Sequence, residues 1–172
     1  GGLLDGINRE RQKLVDIRES ADVVIDSSDL NVHQLGTRIL EEFGEDANQL
    51  QLIIQSFGFK YGTPADADMV FDARFLPNPH WNEQLRALTG NDPKVQKAVM
   101  SSELAQGFIK SILQLLENVF KGYRIENKRF VSIAIGCTGG KHRSVTLANQ
   151  LADMLSGEEL RVRVNHRDLG RE

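Results

Sequence analysis

The stretch FVSIAIGCTGGKHRSV, residues 130–145, decides the fold of this chain. Its first seven residues form an apolar run with the length of a buried β-strand, and a helical pattern follows from Ser144 to Leu155. Between the two lies a glycine-rich turn that carries the only cysteine of the chain together with Lys141, His142 and Arg143. A strand, a tight turn and a helix in this order are typical of a parallel sheet covered by helices.

The patterns on either side of this stretch predict the same architecture. Apolar runs predict strands at 50–59, 69–76 and 160–167, and a long helix is expected at 102–121 with Gly122 as its C-cap. We therefore expect an α/β fold with a mainly parallel sheet flanked by helices, whose ligand loops lie at the C-terminal ends of the strands. The loops that qualify are 58–62, 77–81 and 137–143.

Two apolar stripes give expectations about side-chain direction. Alternation along the second strand is expected to place one set of side chains on one face, namely Phe71, Ala73 and Phe75. The long helix is expected to bury a stripe against the core or against another subunit, made of Leu104, Phe108, Ile112, Leu115 and Val119.

The first 44 residues are expected to belong to a different domain. Their pattern predicts a helix at 3–19, a short strand at 21–26 and a helix at 31–43, which is too small a set to fold alone. The polar segment GEDANQ (44–49) follows and marks a boundary. We therefore predict a division into 1–44, the end of a domain that begins upstream, and 45–172, a complete α/β domain.

Composition excludes several classes of protein. None of the apolar runs among the 172 residues has the ~20 residues that a membrane helix needs. A single cysteine forms no internal disulfide and no multi-cysteine zinc site, and the four histidines lack metal-ligand spacing, so we expect no metal and a reducing, cytoplasmic setting. The net charge is −3, yet residues 121–172 carry ten basic and six acidic side chains, which favours anionic ligands.

The turn at 136–144 has the residues of a phosphate-binding loop. Gly136, Gly139 and Gly140 can adopt positive φ and expose backbone N–H groups, and the start of the following helix favours negative charge. An arginine can hold two phosphate oxygens at once. The polar residues that supply these features are Lys141, His142, Arg143 and Ser144.

Two types of phosphate chemistry can be compared with the spacing of this loop. A Walker A loop would require glycine where Ile135 stands and serine or threonine where His142 stands, so a nucleotide cradle is not predicted here. The spacing Cys137-x5-Arg143-Ser144 matches that of cysteine-dependent phosphatases, in which the thiolate attacks phosphorus. That reading makes Cys137 and Arg143 catalytic, but no upstream carboxylate is marked out as the general acid.

Four segments resemble the C-terminal domain of the RapZ/YvcJ family of bacterial P-loop proteins. They are FGFKYG (57–62), DADMVFDARFLPNPHW (66–81), AIGCTGGKHRSV (134–145) and HRDL (166–169), and the likeness covers about residues 50–169. The resemblance implies an N-terminal P-loop domain that binds and hydrolyses ATP and GTP. Residues 1–44 would be its last part, and its Walker A motif would lie upstream of Gly1. This chain is therefore expected to hold no nucleotide and to lack that activity.

The resemblance also implies what the C-terminal domain binds. In this family the domain is regulatory, responds to an amino-sugar phosphate such as glucosamine-6-phosphate, binds small regulatory RNA and belongs to an oligomer. The family's RNA-binding tail is rich in lysine and arginine, whereas the last residues here are HRDLGRE. With Cys137 as a wall of the pocket rather than a nucleophile, the ligand site carried over by motif consists of Asp72, His80, Cys137, Thr138, Gly139, His142 and Arg143.

Overall fold

The computed structural model describes residues 2–21, 23–43, 49–126, 128–157 and 160–171. The chain divides into two compact units, Gly1–Ala47 and Asn48–Glu172. Within the described ranges, no helix combines the length and the apolar character needed to cross a membrane.

The described residues of the first unit form three helices, α1 (Leu3–Lys13), α2 (Val15–Ser20) and α3 (Val32–Phe43). The single helix predicted at 3–19 is interrupted at Leu14, which ends α1 and precedes α2. The strand predicted at 21–26 is wrong for its described residues, 21 and 23–26, which form no strand. A strand requires a neighbour to satisfy its backbone groups, and the described sheet takes all its strands from the second unit.

The second unit is built on a four-stranded parallel sheet in the order β2-β3-β1-β4. The strands are β1 (Leu50–Gly58), β2 (Met69–Asp72), β3 (Phe130–Cys137) and β4 (Leu160–His166). The α/β fold with a parallel sheet is thus confirmed. Because Gly58 pairs with Cys137 and Asp72 with Gly136, the C-terminal ends of β1, β2 and β3 lie side by side and form one edge of the sheet.

Four helices of this unit follow β2 and β3. They are α4 (Glu83–Arg86), α5 (Pro93–Met100), α6 (Glu103–Ile125) and α7 (Arg143–Leu155), with short 3-10 turns at Phe59–Tyr61 and Pro79–Trp81. Helix α7 packs on β1, β3 and β4. Apolar side chains of α5, α6 and α7 share one core with alternate residues of the strands, such as Leu52, Ile54 and Ile133. The apolar residues from which α7 and β3 were predicted therefore belong to this core.

Helix α6 differs from its prediction in length and in buried face. It continues through Gly122 and ends at Ile125, so Gly122 is not its C-cap. Leu104 and Leu115 are exposed, and the buried positions are Ala105, Ile109, Ile112, Leu116 and Phe120. Ile112 belongs to both stripes, and Phe108 and Val119 are half-buried, so the buried face is turned from the predicted one by less than one residue step of about 100°. Since both faces carry apolar side chains, only packing against the rest of the core could select between them.

Strand β2 is shorter than the predicted 69–76. It ends at Asp72, after which the N–H of Leu76 donates to the carbonyl oxygen of Ala73 in a turn. Beyond Ala73 this turn replaces the strand: Phe75 is exposed and Leu76 is buried, although Phe71 and Phe75 both pack edge to face on Phe108, as the predicted shared face requires. This turn directs the following segment, 77–81, over the end of the sheet.

Candidate functional site

A cavity of about 540 Å³ opens at the edge where the strands end. Its walls come from the three loops that follow β1, β2 and β3, with one residue from α4. This volume lies within the range of small-molecule sites, and cavities at strand C-termini are the usual binding places of α/β folds. The lining residues are Lys60, Asn78, His80, Trp81, Arg86, Cys137, Thr138, Gly139, Lys141, His142 and Arg143.

Of the three glycines predicted to be able to adopt positive φ at the end of β3 and in the loop after it, only Gly140 does so. Gly140 has φ +78°, in the region that favours glycine, whereas Gly136 and Gly139 do not have positive φ. At Gly136 a Cβ atom would lie 2.5 Å from the rings of Phe57 and Phe59, so packing requires glycine there. One glycine thus turns the loop and another admits the aromatic pair beneath it.

The end of β1 is pressed against this loop. A Cβ atom on Gly58 would lie 2.6 Å from the carbonyl carbon of Gly139, so the two backbones touch. The N–H of Lys60 donates to the carbonyl oxygen of Thr138 over 3.2 Å. These contacts bring the Lys60 side chain, in the predicted ligand loop 58–62, to the cavity wall.

Arg143 is the most constrained cation of the cavity, with only 4% of its surface exposed. Its Nη1 donates to the carbonyl oxygens of Arg74 (2.7 Å) and Leu76 (3.0 Å), and Nη2 donates to Thr138 Oγ1 (3.3 Å). Among the described residues, Nε has no partner. Nε is therefore an enclosed donor that the described residues leave without a partner.

His142 is also buried, at 5% exposure, and its Nε2 atom has no well-aligned partner in the described part of the chain. Burial is the main reason why the pKa of His142 lies below its usual value, and the charge of Lys141 acts in the same direction. Backbone carbonyls at Arg86, Leu85 and Leu88 oppose this shift only in part. A bound anion would supply a partner that the folded loop leaves open.

Cys137 and Ser144 form a close polar pair at the end of β3. Cys137 Sγ lies 3.1 Å from Ser144 Oγ, and both side chains are buried, with Cys137 only 3% exposed. The sulfur contributes to the cavity wall, whereas Ser144 does not line it. The hydroxyl of Ser144 therefore contacts the thiol rather than the cavity.

Six of the predicted site residues line the cavity, and three do not. The lining residues are His80, Cys137, Thr138, Gly139, His142 and Arg143; the others are Asp72, Gly140 and Ser144. Asp72 instead pairs with Arg74, whose Nη2 donates to Asp72 Oδ2 over 2.7 Å, and this hydrogen bond is the main reason why the pKa of Asp72 lies below its usual value. Arg74 in turn lies 3.9 Å above the ring of Phe59.

Several lining residues were missed from the predicted ligand set. Lys60, Asn78 and Trp81 lie within the segments FGFKYG and DADMVFDARFLPNPHW, so their position in the predicted ligand loops could have indicated that they line the site. Arg86 had no sequence signal, and its Nε donates to the carbonyl oxygen of His80 over 3.0 Å. A larger hollow of about 830 Å³ in the first unit brings together none of the predicted residues. The described residues contain no cluster of three or more side chains suited to a metal.

Comparison with known proteins places this geometry in a family context. Residues 50–170 match the model of the RapZ C-terminal domain. A protein of Leifsonia xyli named as a nucleotide-binding protein is 55% identical over 174 residues, covering 100% of this chain and 59% of the relative. Similarly named proteins of Frankia alni and a Nocardioides species are 52% and 51% identical; 99% and 100% of this chain match 59% and 58% of them. The chain thus spans about three fifths of these curated relatives.

Proposed function

The chain belongs to the RapZ family, and from this premise we propose that its second unit is a regulatory domain that binds a phosphorylated small molecule. The ligand would be an amino-sugar phosphate such as glucosamine-6-phosphate. The observation that carries the proposal is Arg143, a buried arginine whose Nε has no partner among the described residues and which lines a cavity. A buried, unpaired donor is costly, so a ligand that satisfies it gains affinity.

The phosphate would lie against the loop at 137–143. Arg143 would hold two oxygens, while Lys60 and Lys141, which also line the cavity, add positive charge. Helix α7 begins at Arg143, so its N-terminal dipole favours an anion at the same place. The Nε2 atom of His142 would provide a further polar contact.

The sugar would occupy the part of the cavity formed by the loop after β2. A volume of about 540 Å³ is far larger than one phosphate group, and the remaining wall carries polar groups of Asn78, His80 and Arg86. Trp81 is 78% exposed at this wall and contacts the His80 ring edge to face, with centroids 5.8 Å apart. Its accessible indole offers an apolar face against which a sugar ring could pack.

Isothermal titration calorimetry with three compounds tests this proposal. We expect glucosamine-6-phosphate to bind more tightly than inorganic phosphate, and glucosamine without its phosphate to bind weakly or not at all. Equal affinity for glucosamine and glucosamine-6-phosphate would show that the phosphate group does not contribute to binding, against the proposal. A lack of binding by all three compounds would overturn the proposed function as a whole.

The nucleotide chemistry of the family is proposed for the complete protein and not for this chain. The relatives are named as nucleotide-binding proteins, and the chain carries no G-x-x-x-x-G-K-[ST] motif. We propose that the complete protein is a cytoplasmic oligomer with a P-loop upstream of Gly1 and a weak ATPase or GTPase activity. Parallel nucleotide-binding and hydrolysis assays on the complete protein and on this chain would test it; tight ATP binding by the chain would contradict it.

RNA binding is a further proposal with less support. Arg161 and Arg163 are exposed on β4 and alternate along it, as a phosphate-contacting surface requires. Arg167 and Arg171, however, are paired with Asp168 and are less available to RNA. A gel shift with small regulatory RNA at low salt should weaken steeply as salt rises if this surface contributes. No shift at low salt would contradict it.

The phosphatase alternative is favoured by one contact, the 3.1 Å approach of Ser144 Oγ to Cys137 Sγ, which could stabilise a thiolate. The described residues that line the cavity include no carboxylate to protonate a leaving group. Binding without turnover therefore agrees better with the geometry of the site.

A further inference from the structure

We propose that Asp168 is a positioning residue for the cavity: its buried carboxylate clamps Gly58 against the glycine loop and thereby holds the anion-binding donors in place. Asp168 is fully buried yet does not line the cavity. Its relevance to ligand binding rests on the proposed function, whereas its effect on the shape of the loop does not.

The carboxylate of Asp168 connects three parts of the chain. Oδ2 accepts a hydrogen bond from the backbone N–H of Gly58 over 2.8 Å, although the two residues are 110 positions apart. Arg167 Nη2 donates to Oδ2 over 2.7 Å, and Arg171 Nη1 donates to Oδ1 over 3.0 Å. Both oxygens are thus used, and the last residue of β1 is tied to the turn that follows β4.

The balance of forces at Asp168 favours its charged form. Burial raises the pKa of this carboxyl group, but hydrogen bonds from Arg167, from the Gly58 N–H and from Arg171 together keep the pKa below its usual value. The buried carboxylate is therefore ionised near neutral pH, when its hydrogen bonds are strongest.

Asp168 also lies directly behind the glycine loop. A Cβ atom on Gly140 would be 3.1 Å from the Asp168 Cβ atom and 2.8 Å from the Gly58 nitrogen. Gly58 itself touches Gly139 from the other side of the same junction. Displacement of Asp168 would thus free both Gly58 and the segment that precedes Lys141, His142 and Arg143.

The turn at 167–171 grips the loop after β1 at two further points. Arg167 Nη2 donates to the carbonyl oxygen of Gly62 over 2.6 Å, and the Tyr61 hydroxyl donates to the carbonyl oxygen of Arg171. Lys60 lies between Gly58 and these two anchors and lines the cavity. The C-terminal turn therefore sets the position of one cation of the cavity through Gly58, Tyr61 and Gly62.

The substitution Asp168→Asn tests this role with little change in volume. Asn keeps an oxygen that can accept from Gly58 but loses the charge that pairs with Arg167 and Arg171. The matched control is Asp68→Asn. Asp68 accepts from the Ser132 N–H over 2.9 Å and pairs with Lys128, but it lies at the opposite edge of the sheet, before β2 begins.

The first measurement is the backbone amide NMR spectrum without ligand. We expect Asp168→Asn to shift the resonances of 58–62 and 138–142, including Gly139 and Gly140, and Asp68→Asn to leave them in place. In calorimetry with glucosamine-6-phosphate we expect a loss of about tenfold in affinity for Asp168→Asn and less than twofold for Asp68→Asn. Asp168→Glu should restore neither the wild-type resonances nor the wild-type affinity, because the longer glutamate side chain does not fit the fully buried junction.

The outcomes separate this proposal from the proposed function. Unchanged amide resonances in Asp168→Asn would overturn the positioning role, whatever the wild-type chain binds. Loop shifts in a wild-type chain that binds no sugar phosphate would support the positioning of the loop and overturn the proposed function alone. Equal loss of affinity in both variants would assign the effect to general stability and overturn the proposal.

Discussion

Arg143 Nη1 donates to the carbonyl oxygen of Arg74 over 2.7 Å, joining the first residue of α7 to the turn after β2. The same nitrogen also donates to the Leu76 carbonyl oxygen. One edge of the guanidinium therefore holds the protein together, while the edge with Nε faces no partner among the described residues. A single side chain thus joins the loops that follow β2 and β3 and is the residue on which the proposed anion site depends.

Replacement of Arg143 by lysine should show whether these two roles require the guanidinium group or only its positive charge. Lysine keeps the positive charge but cannot present two parallel donors, so we expect affinity for glucosamine-6-phosphate to fall at least about tenfold. The measurement is calorimetry, with thermal unfolding recorded beside it. Arg163→Lys, on the exposed side of β4, is the matched control and should bind like the wild type. Unchanged affinity in Arg143→Lys would remove this arginine from the proposed site.

Close backbone contacts predict that two glycines near the cavity do not tolerate alanine. A Cβ atom on Gly58 would lie 2.6 Å from Gly139, and one on Gly90 would lie 2.3 Å from the carbonyl oxygen of His142. We expect Gly58→Ala and Gly90→Ala each to lower the free energy of unfolding by about 1–3 kcal/mol in urea titrations, because backbone must move. Wild-type stability in both variants would show that these contacts are loose.

For the glycines inside α6 we predict the opposite effect of alanine, a rise in the free energy of unfolding. These variants serve as the comparison for Gly58→Ala and Gly90→Ala. A Cβ atom on Gly107 or Gly122 meets nothing within 4 Å. Since alanine favours helix by roughly 0.5–1 kcal/mol over glycine, Gly107→Ala should raise the free energy of unfolding by about that amount. Urea titration of Gly107→Ala alone and combined with Gly122→Ala should show additive gains. A loss of stability would mean that this helix surface is not open.

The cysteine of the loop predicts binding without catalysis. The chain should not turn over an aryl phosphate between pH 5 and 8, and Cys137→Ser should bind glucosamine-6-phosphate within about threefold of the wild type, because the hydroxyl preserves a small polar group beside Ser144. Release of the aryl alcohol is followed by absorbance. Turnover that disappears in Cys137→Ser would establish the phosphatase alternative instead.

Two histidines, the buried His142 and the half-buried His166, predict a fall in stability on mild acidification. Burial lowers the pKa of both His142 and His166 below 6.5, so the unfolded chain binds more protons than the folded one. Their contribution to stability is complete above pH 6.5 and is lost as pH falls through the folded-state values. Urea unfolding at pH 7.5 and 5.5 should show this loss, and His142→Gln or His166→Gln should reduce it. If the stability of both variants depends on pH as the wild type does, the loss of stability is not caused by His142 and His166.

Local pattern was sufficient where the signal comes from neighbouring residues. The apolar run of β3, the glycines that follow it and the helical stripe of α7 are read within 26 residues, from 130 to 155, and they predicted a strand, a turn and a helix in the right places. The alternation of such elements then predicted the α/β class, because parallel strands need crossover helices. The location of the ligand loops followed from that class.

Tertiary packing decided what the local pattern left ambiguous. The buried face of α6 overlaps the predicted stripe at Ile112 but contains Ala105 rather than Leu104, because both residues are apolar and only the partner surface selects between them. The segment at 21–26 has strand-like composition but no described strand to pair with, and propensity cannot supply a neighbour. Asp72 does not line the cavity and is instead paired with Arg74, two residues further along the chain.

The sequence by itself determined the strand–turn–helix joint, its cations and the edge of the sheet at which they lie. Only the tertiary structure joined Gly58 to Asp168, Arg143 to the carbonyl oxygens of Arg74 and Leu76, and Arg86 to the cavity wall. The first set depends on contacts over a few residues, where period and glycine placement are informative. The second depends on contacts 67 to 110 residues apart, such as those of Leu76 and Gly58, which arise only once the strand order brings these loops to one edge.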